Sequence, residues 1–436
     1  MYLVPDPDRR SRRSAAVFSV VGAVLAMGIT HLAVVDAGLG SALAVAKGGL
    51  SGAVREVVGA NDDASAGEAA EPTETVTTTV TSDPSQTAST DAAATDSATA
   101  TDSSSAAQET CYPDTAPVDS EATAAVGCLL ATIDSWRDNG QVGLGQQVNI
   151  SSAHWARPLN RLGALPAVVG FDAQELVDAL GYGSDHTSDL AAIADQGVVL
   201  TASWHAPNPW TGGAADDTTG QGKLSQVLDS STDAGVAFWS DYDAVLDRFQ
   251  ALQDRGVAVL FRPLHESNGD WFWWGAADSS TLVQLYAAMQ QRAYDRGIHN
   301  IAWAYGQNAD NSGTTVDTTN ALPASVDLVG VDAYCDLASD GLCLGSDGSE
   351  TGMLDVTGYS ELAATGLRAA FTEVGPRDDY AGAFDPQEVL DTASAQSVLP
   401  AYVMFWFDDG AGKKQIASLA DGQQWFASCG AVCQVR

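Results

Sequence analysis

Basic side chains are scarce in this chain of 436 residues: Lys and Arg number 20 against 56 Asp and Glu, a formal net charge of −36. A protein that binds nucleic acid through its phosphates needs a basic surface, so this deficit excludes that mode of binding. The same charge opposes adhesion of the folded part to anionic lipid. A large core is possible, because 45% of the residues are apolar.

Motifs that would assign several common chemistries are also missing. No G-x-G-x-x-G or Walker sequence occurs, and no G-x-S-x-G sequence marks a hydrolase nucleophile. His265 and Glu266 begin like the zinc motif H-E-x-x-H, but its fifth position is Gly269. Neither a C-x-x-C pair nor EF-hand spacing is present. We therefore expect no cofactor and no metal.

The chain begins with the pattern of an export segment. Four arginines within residues 9–13 precede an apolar run over 15–35, and basic residues before an apolar run direct export. Residues 1–45 are either a signal peptide cleaved near the A-L-A sequence at 42–44 or a retained membrane anchor, since the run is long enough to span a bilayer. Both alternatives place the rest of the chain outside the cytoplasm, secreted or tethered.

Residues 46–110 have the composition of a linker. From 60 to 108 the chain is mostly Thr, Ser, Ala, Asp and Glu, without an aromatic residue. Such a segment buries too little apolar surface to offset the entropy lost on ordering. We expect a disordered acidic linker here, followed by one folded domain over 111–436.

Six cysteines, an even number, favour disulfides in an exported chain. Their short spacings favour local pairs, because each pair closes a loop without crossing other elements. The predicted pairs are Cys111 with Cys128, Cys335 with Cys343, and Cys429 with Cys433.

From residue 141 onward, short β-branched runs alternate with helical patterns, such as those at 241–255 and 279–296. Several runs are apolar at consecutive positions, as in parallel strands that are buried on both faces. Eight strands alternating with helices over about 290 residues favour a (β/α)8 TIM barrel. A doubly wound sheet would usually carry a glycine-rich loop after its first strand. The predicted strands are 142–147, 167–172, 198–205, 257–266, 301–306, 328–334, 369–375 and 401–407.

Two glutamates stand at ends of predicted strands, where barrel enzymes carry their chemistry. Glu266 ends the fourth strand and Glu373 lies near the end of the seventh, so their side chains can face each other across the barrel mouth. Glycoside hydrolysis needs such a pair, with one carboxyl group of raised pKa. The alternative is that each glutamate forms a structural ion pair with an arginine.

Aromatic residues and histidines surround the same strand ends. The loop at 271–274 reads W-F-W-W, which fits neither helical nor strand periodicity. Indole faces stack on sugar rings, so we expect Trp271 to line a site and the others to pack beneath it, although a hydrophobic plug is an alternative. His205 and His265 each end a strand and are predicted partners of sugar hydroxyls or of the glutamates.

The stretch RPLHESNGDWFWWG at 262–275 resembles the signature of glycoside hydrolase family 26, best known for endo-β-1,4-mannanases. The segments WHAPNP at 204–209 and TEVG at 372–375 are similar to two further motifs of that family, in the same order. The resemblance covers roughly residues 140–430. It implies a (β/α)8 barrel that hydrolyses glycosidic bonds with retention of configuration.

Carried over position by position, the resemblance implies that Glu266 is the acid/base and Glu373 the nucleophile. It implies that His265 holds the nucleophile side of the site. The remaining implied sugar-binding or supporting residues are His205, Trp271, Tyr334, Trp406, Arg262 and Asn268.

The substrate is less closely defined than the chemistry. The resemblance favours an endo-acting β-mannanase that works alone as a monomer on a polysaccharide. The family also contains lichenases and β-1,3-xylanases on the same catalytic frame, so mixed-linkage β-glucan and β-1,3-xylan remain alternatives. A surface carbohydrate-binding protein that has lost catalysis is a third alternative, against which both glutamates argue.

Overall fold

The computed structural model describes residues 111–275, 277–309, 317–345, 347–377, 381–407 and 413–435. The predicted export or anchor segment at 1–45 and the predicted linker at 46–110 lie outside these ranges. Within them, no helix combines the length and the hydropathy that crossing a membrane requires.

Nine strands form the sheet of the described residues. They are β1 (Gln141–Gln147), β2 (Val168–Asp172), β3 (Val199–Trp204), β4 (Val259–Pro263), β5 (Ile301–Asn308), β6 (Leu328–Cys335), β7 (Arg368–Pro376), β8 (Tyr402–Phe405) and β9 (Val432–Gln434). Strands β1 to β8 pair in parallel in chain order, and β1 pairs with both β2 and β8. The sheet is therefore closed, which confirms the predicted (β/α)8 barrel. Strand β9 adds antiparallel to the beginning of β1.

Helices connect the strands on the outside of the barrel. In the described residues they are α1 (Ala124–Asp138), α2 (Arg157–Leu162), α3 (Ala173–Gly181), α4 (Thr187–Ala194), α5 (Ser225–Leu228), α6 (Asp233–Gln253), α7 (Ser279–Asp295), α8 (Tyr359–Ala363), α9 (Gln387–Ala395) and α10 (Gly422–Cys429). Helix α6 begins earlier than the predicted 241, since Thr232 caps it through a hydrogen bond from Gly235 N–H.

The amino-terminal end of the barrel is closed by α1. Val126, Leu130 and Ile133 on this helix are fully buried and pack in one cluster with the first residues of the strands, among them Val168 and Leu328. With this end occupied by core side chains, the opposite rim is where polar side chains have access to a ligand.

Three predicted strands end earlier than expected. Strand β3 stops at Trp204 rather than 205, β4 stops at Pro263 rather than 266, and β8 stops at Phe405 rather than 407. Pro263 has no N–H to donate to a ladder, and the next residue, Leu264, has a left-handed backbone with φ +52°. The predicted site residues His265 and Glu266 therefore lie in a turn beyond the strand.

All three predicted disulfides are present. Cys111 is bonded to Cys128, Cys335 to Cys343, and Cys429 to Cys433. The first ties the segment before α1 to that helix, the second closes the chain that leaves β6, and the third joins α10 to β9.

Candidate active site

Three carboxylates converge at the carboxyl-terminal rim of the barrel. Glu266 follows β4, Asp332 lies on β6 and Glu373 on β7, and one oxygen of each lies within 4.8 Å of the other two. Each residue is at most 1% exposed. The two glutamates, 107 positions apart in the chain, thus lie in one small, desolvated space.

The turn after β4 places Glu266. Leu264 and Glu266 both have φ near +52°, a left-handed conformation that is uncommon for residues with a side chain and costs about 1 kcal/mol or more. The backbone N–H of Glu266 donates to the carbonyl of Gly306 on β5 at 2.9 Å, which holds the turn against the neighbouring strand. Strained backbone of this kind is concentrated at functional sites.

Arg262 joins two of the carboxylates. Its guanidinium donates to Asp332 Oδ2 at 2.6 Å and also contacts Glu373 Oε1, while the Tyr334 hydroxyl donates to Glu373 Oε2 at 2.7 Å. Burial acts to lower the pKa of Arg262, but the charges of Asp332 and Glu373 raise it well above its ordinary value. Gly306 leaves room for this side chain, since a Cβ there would lie 2.6 Å from Arg262 Cδ. The arginine ion pair considered as an alternative for Glu373 is therefore present, inside the carboxylate cluster.

Glu266 is held by two donors. The Trp271 indole N–H donates to its Oε2 at 2.7 Å, and the Asn308 amide donates to its Oε1 at 3.0 Å. Burial, and then the charge of Glu373, raise the pKa of Glu266 from 4.5 to about 7. Glu266 can thus carry a proton near neutral pH, unlike an ordinary carboxyl group.

The two predicted histidines are in contact. His205 and His265 place their Nε2 atoms 3.3 Å apart, and His265 Nε2 lies 4.0 Å from Glu373 Oε1. Burial, followed by the charges of Arg262 and His205, lowers the pKa of His265 well below its usual value, so this ring is neutral. The structure therefore places His265 beside the nucleophile candidate.

The aromatic loop divides between the rim and the core. Trp271 is bonded to Glu266, whereas Trp273 and Trp274 have no exposed surface and donate to the carbonyls of Ala206 and His265, each at 2.8 Å. One tryptophan of the loop is thus at the carboxylates, and two are buried in the core.

A second aromatic group lies beside Glu373. Trp406 stacks on Phe407, with ring centroids 5.1 Å apart, and both belong to one small cluster with Tyr334. Trp406 also lies edge-on to His205, at 5.9 Å between centroids. The cluster residues stand at the ends of β6 and β8, and Tyr334 bonds Glu373, so this aromatic group borders the carboxylates.

Sequence reasoning missed three polar residues of the site. Asn308 ends β5 and donates to Glu266, Asp332 lies on β6, and Asp172 ends β2 and accepts from His205 Nδ1 at 2.7 Å. Each is a buried polar residue near the end of an apolar strand, the signal that drew attention to the glutamates. Asn268, by contrast, was predicted, and it acts on Asn308: its amide donates to the Asn308 carbonyl at 2.7 Å.

A metal ion would find three carboxylate ligands here, Glu266, Asp332 and Glu373. The carboxylates of Asp332 and Glu373 already contact the guanidinium of Arg262, which supplies a positive charge at the same place. The arrangement therefore combines an arginine-bound carboxylate with a second carboxyl group of raised pKa, the set that acid-assisted displacement at a sugar carbon requires.

Known proteins place the chain in a family. The family model described as "Glycosyl hydrolase family 26" matches residues 118–422. The mannan endo-1,4-beta-mannosidase of Bacillus subtilis strain 168 is 27% identical over 314 residues, which cover 67% of this chain and 81% of that protein. The crystallised Bacillus subtilis mannanase BCman superposes with a TM-score of 0.58 and 25% identity, covering 72% of this chain and 93% of that one. The chain therefore belongs to glycosyl hydrolase family 26 and is a glycoside hydrolase.

Proposed function

We propose that this protein is an endo-acting β-1,4-mannanase that cleaves mannan-type polysaccharides by double displacement with retention. The separation of the two glutamates carries the mechanism. Their nearest carboxylate oxygens lie within 4.8 Å, close to the roughly 5–5.5 Å typical of retaining enzymes and below the roughly 6.5–9.5 Å that leaves room for the water of an inverting one.

In the first step Glu373 attacks the anomeric carbon and Glu266 gives its proton to the glycosidic oxygen. The bond from the anomeric carbon to that oxygen breaks as the bond to Glu373 forms, and the reducing-end fragment leaves as an alcohol. Arg262 and the Tyr334 hydroxyl hold the attacking carboxylate fixed in orientation.

In the second step Glu266 acts as the base. The covalent bond neutralises Glu373, and the charge that helped to raise the pKa of Glu266 is thereby removed. Glu266, having lost its proton in the first step, then takes a proton from water as the water oxygen attacks the anomeric carbon. Glu373 leaves as a carboxylate, and two inversions give net retention.

We assign sugar binding to the two aromatic groups and the polar residues beside them. Apolar faces of a pyranose ring pack on indole and phenol rings, which Trp271 beside Glu266 and Trp406 with Tyr334 beside Glu373 provide. His205 and His265 contact each other through their Nε2 atoms beside Glu373, which supports a role for both rings at the same sugar subsite. Mannan as the polymer, and cleavage within the chain, are supported by the relatives named mannan endo-1,4-beta-mannosidase.

A substrate panel tests the proposed activity. Reducing ends released from galactomannan, glucomannan, barley β-glucan and β-1,3-xylan should appear fastest with the two mannans, as oligosaccharides from the start rather than as single sugars. Proton NMR of the first product should show the β-anomer before mutarotation. Faster release from barley glucan or xylan would reassign the substrate, an α-anomer would refute retention, and no release from any polymer would favour the binding protein.

Azide rescue separates the roles of the two glutamates. With an activated aryl β-mannobioside, Glu373→Ala plus azide should give the α-mannosyl azide, because azide replaces the missing nucleophile. Glu266→Ala plus azide should give the β-mannosyl azide, because azide replaces water in the second step. Glu388→Gln, a buried glutamate on α9 that accepts from Cys343 N–H, is the matched control and should keep full activity. Exchanged azide products would reverse the assignment.

We also propose that the enzyme works outside the cytoplasm as a monomer, tethered or released. The three disulfides support an oxidising environment. Immunodetection in culture medium against the membrane fraction would separate secretion from anchoring, and light scattering of the purified chain would give the oligomeric state.

A further inference from the structure

The carboxylate of Asp172 holds both the ring and the backbone of His205. The carboxylate of Asp172, the last residue of β2, is 2% exposed and its Oδ2 accepts from His205 Nδ1 at 2.7 Å. The same oxygen accepts the backbone N–H of His205 at 3.0 Å and the hydroxyl of Ser203 at 3.1 Å. Its Oδ1 accepts the backbone N–H of Gln174, at the start of α3, at 2.9 Å. Both oxygens are thus used as acceptors, and the ring orientation of His205 is fixed.

A continuous path of side chains leads from this carboxylate to the nucleophile candidate. His205 Nδ1 faces Asp172, and its Nε2 lies 3.3 Å from Nε2 of His265. His265 Nε2 is in turn 4.0 Å from Glu373 Oε1, while its Nδ1 is buried without a hydrogen-bond partner in the described part of the chain. His265 is therefore constrained by burial and by the lack of a partner for its Nδ1 among the described residues. The position of the proton between the two Nε2 atoms then depends on which nitrogen of His205 is protonated.

Four titratable groups face His205. Asp172 faces it from β2, Glu373 from β7, Arg262 from β4, and His265 from the turn after β4. Burial lowers the pKa of His205, but the charge and hydrogen bond of Asp172, followed by the charge of Glu373, raise it above the ordinary value. A second carboxyl group near Asp172 is Glu175 on α3, whose pKa is raised by burial and by the charge of Asp172.

We propose that Asp172 is a positioning residue of the catalytic centre, which keeps a proton on His205 Nδ1 and directs His205 Nε2 at His265 beside Glu373. The proposal rests on the proposed function, because the centre it serves is the one assigned there. A carboxylate that binds one ring nitrogen decides what the other nitrogen can do. Asp172 acts only through His205, whose ring it holds.

The variant Asp172→Asn tests this proposal, because an asparagine side chain has the same shape as aspartate. An amide can accept through its oxygen on one side only, so the variant presents an N–H to either His205 or Gln174. We expect kcat to fall about 10- to 100-fold, the range seen when a carboxylate that orients a metal-bound histidine is removed. Asp327→Asn is the matched control: Asp327 is also 2% exposed and accepts two backbone N–H groups, from Val118 and Trp303, but at the opposite end of the barrel. The two variants should lose similar thermal stability, and only Asp172→Asn should lose kcat.

A double-mutant cycle distinguishes positioning from a general loss of structure. His205→Ala should lower kcat by itself, and adding Asp172→Asn to it should lower kcat less than twofold further. Independent, multiplicative effects of the two changes would overturn the proposal. So would an unchanged kcat in Asp172→Asn.

NMR of the histidine ring nitrogens tests the same contact without a substrate. In the wild-type full chain, the signals that His205→Ala removes should show a protonated Nδ1 throughout pH 5–8, and Asp172→Asn should shift their titration to lower pH. An unprotonated Nδ1 in the wild type would overturn the proposal, even if the variant failed to fold. A wild-type enzyme inactive on all four polymers but with the expected ring signals would refute the proposed function alone.

Discussion

The indole N–H of Trp271 donates a hydrogen bond of 2.7 Å to Oε2 of Glu266, five positions earlier in the chain. The amide of Asn308, from the neighbouring strand, occupies the other oxygen at 3.0 Å. Both donors favour the ionised carboxylate, against burial and the charge of Glu373, which disfavour it. The pKa of Glu266 is therefore a balance that single substitutions can move in a known direction.

Trp271→Phe keeps a ring but removes one of these donors. The pKa of Glu266 should rise, because a hydrogen bond to the charged form is lost, and the alkaline limb of kcat/KM should move to higher pH. At neutral pH kcat/KM should fall about 10- to 100-fold, as expected for a hydrogen bond to a charged group worth about 1.5–3 kcal/mol. Kinetics on galactomannan from pH 5 to 9 measures both effects. Trp425→Phe is the control, because it removes an indole hydrogen bond to Gln387 on the surface, and its alkaline limb should stay in place. A shift of the alkaline limb to lower pH in Trp271→Phe would contradict the proposal that Glu266 is the acid.

The wild-type pH profile follows from the same group. With its pKa near 7, Glu266 loses its proton as the pH rises, so kcat/KM should fall tenfold per pH unit well above that value. In Glu373→Gln the charge that helps to raise the pKa of Glu266 is absent, and a direct carboxyl titration by NMR should place it lower than in the wild type. An alkaline limb above pH 9 would rule out Glu266 as the acid.

Stability should depend on pH through Glu266 with the opposite sign from an ordinary salt-bridged carboxylate. Its pKa is about 7 in the folded protein and 4.5 ordinarily, so between these values the folded state holds a proton that the unfolded state releases. The free energy of unfolding therefore falls as pH rises through this window, by up to about 3 kcal/mol. Glu266→Gln should remove that slope and be the more stable protein at pH 8, by urea unfolding. Equal slopes in the two proteins would show that Glu266 titrates normally.

The fold could be predicted from the local sequence pattern because the strands of a parallel barrel are buried on both faces. Runs such as 198–200 and 257–261 have no polar face, and eight of them in alternation with helices leave few topologies. The end of β4 could not be predicted in this way, since the left-handed turn at Leu264 and Glu266 depends on a backbone hydrogen bond to Gly306 in another strand. Propensity favours extending the strand, and tertiary contact overrides it.

The missed residues depend on register, which the sequence does not display. Asp332 is the register partner of Glu373 only after an irregularity in the β6–β7 pairing near Val331. Asp172 is opposite Ser203 on β3, and that pairing brings it to His205. The sequence identified strand ends as candidate positions for site residues. Offsets of one or two residues in the register of strand pairing then decided which of these residues come into contact.

Trp273 and Trp271 should respond differently to the same substitution. Trp273 is fully buried, donates to the Ala206 carbonyl at 2.8 Å and packs edge-on against Phe238, without touching a carboxylate. Trp273→Phe should lower the free energy of unfolding by about 2–4 kcal/mol through lost volume and a lost hydrogen bond, and leave the alkaline limb of kcat/KM in place. Urea unfolding beside the pH profile measures both. A shifted limb with intact stability would place Trp273, rather than Trp271, at the acid.

Arg262 and Arg368 form buried ion pairs at opposite ends of the barrel, and only one of them should matter for turnover. Arg262 contacts Asp332 and Glu373 at the rim, whereas Arg368, at the start of β7, binds Asp134 with two hydrogen bonds of 2.8 Å. Arg262→Ala removes the cation that pairs Asp332 and Glu373, and Arg368→Ala leaves Asp134 with only a longer ion pair of 3.7 Å to Arg137, so each variant should lose about 3–5 kcal/mol of unfolding free energy. Kinetics below the unfolding temperature should then show kcat reduced more than about 100-fold in Arg262→Ala, because Glu373, the proposed nucleophile, loses its counter-charge, and unchanged in Arg368→Ala. Arg262→Lys keeps the charge but not the fork, and serves if the alanine variant does not fold; it should show an intermediate kcat. Equal losses of kcat at the two ends would mean that Arg262 acts on stability alone.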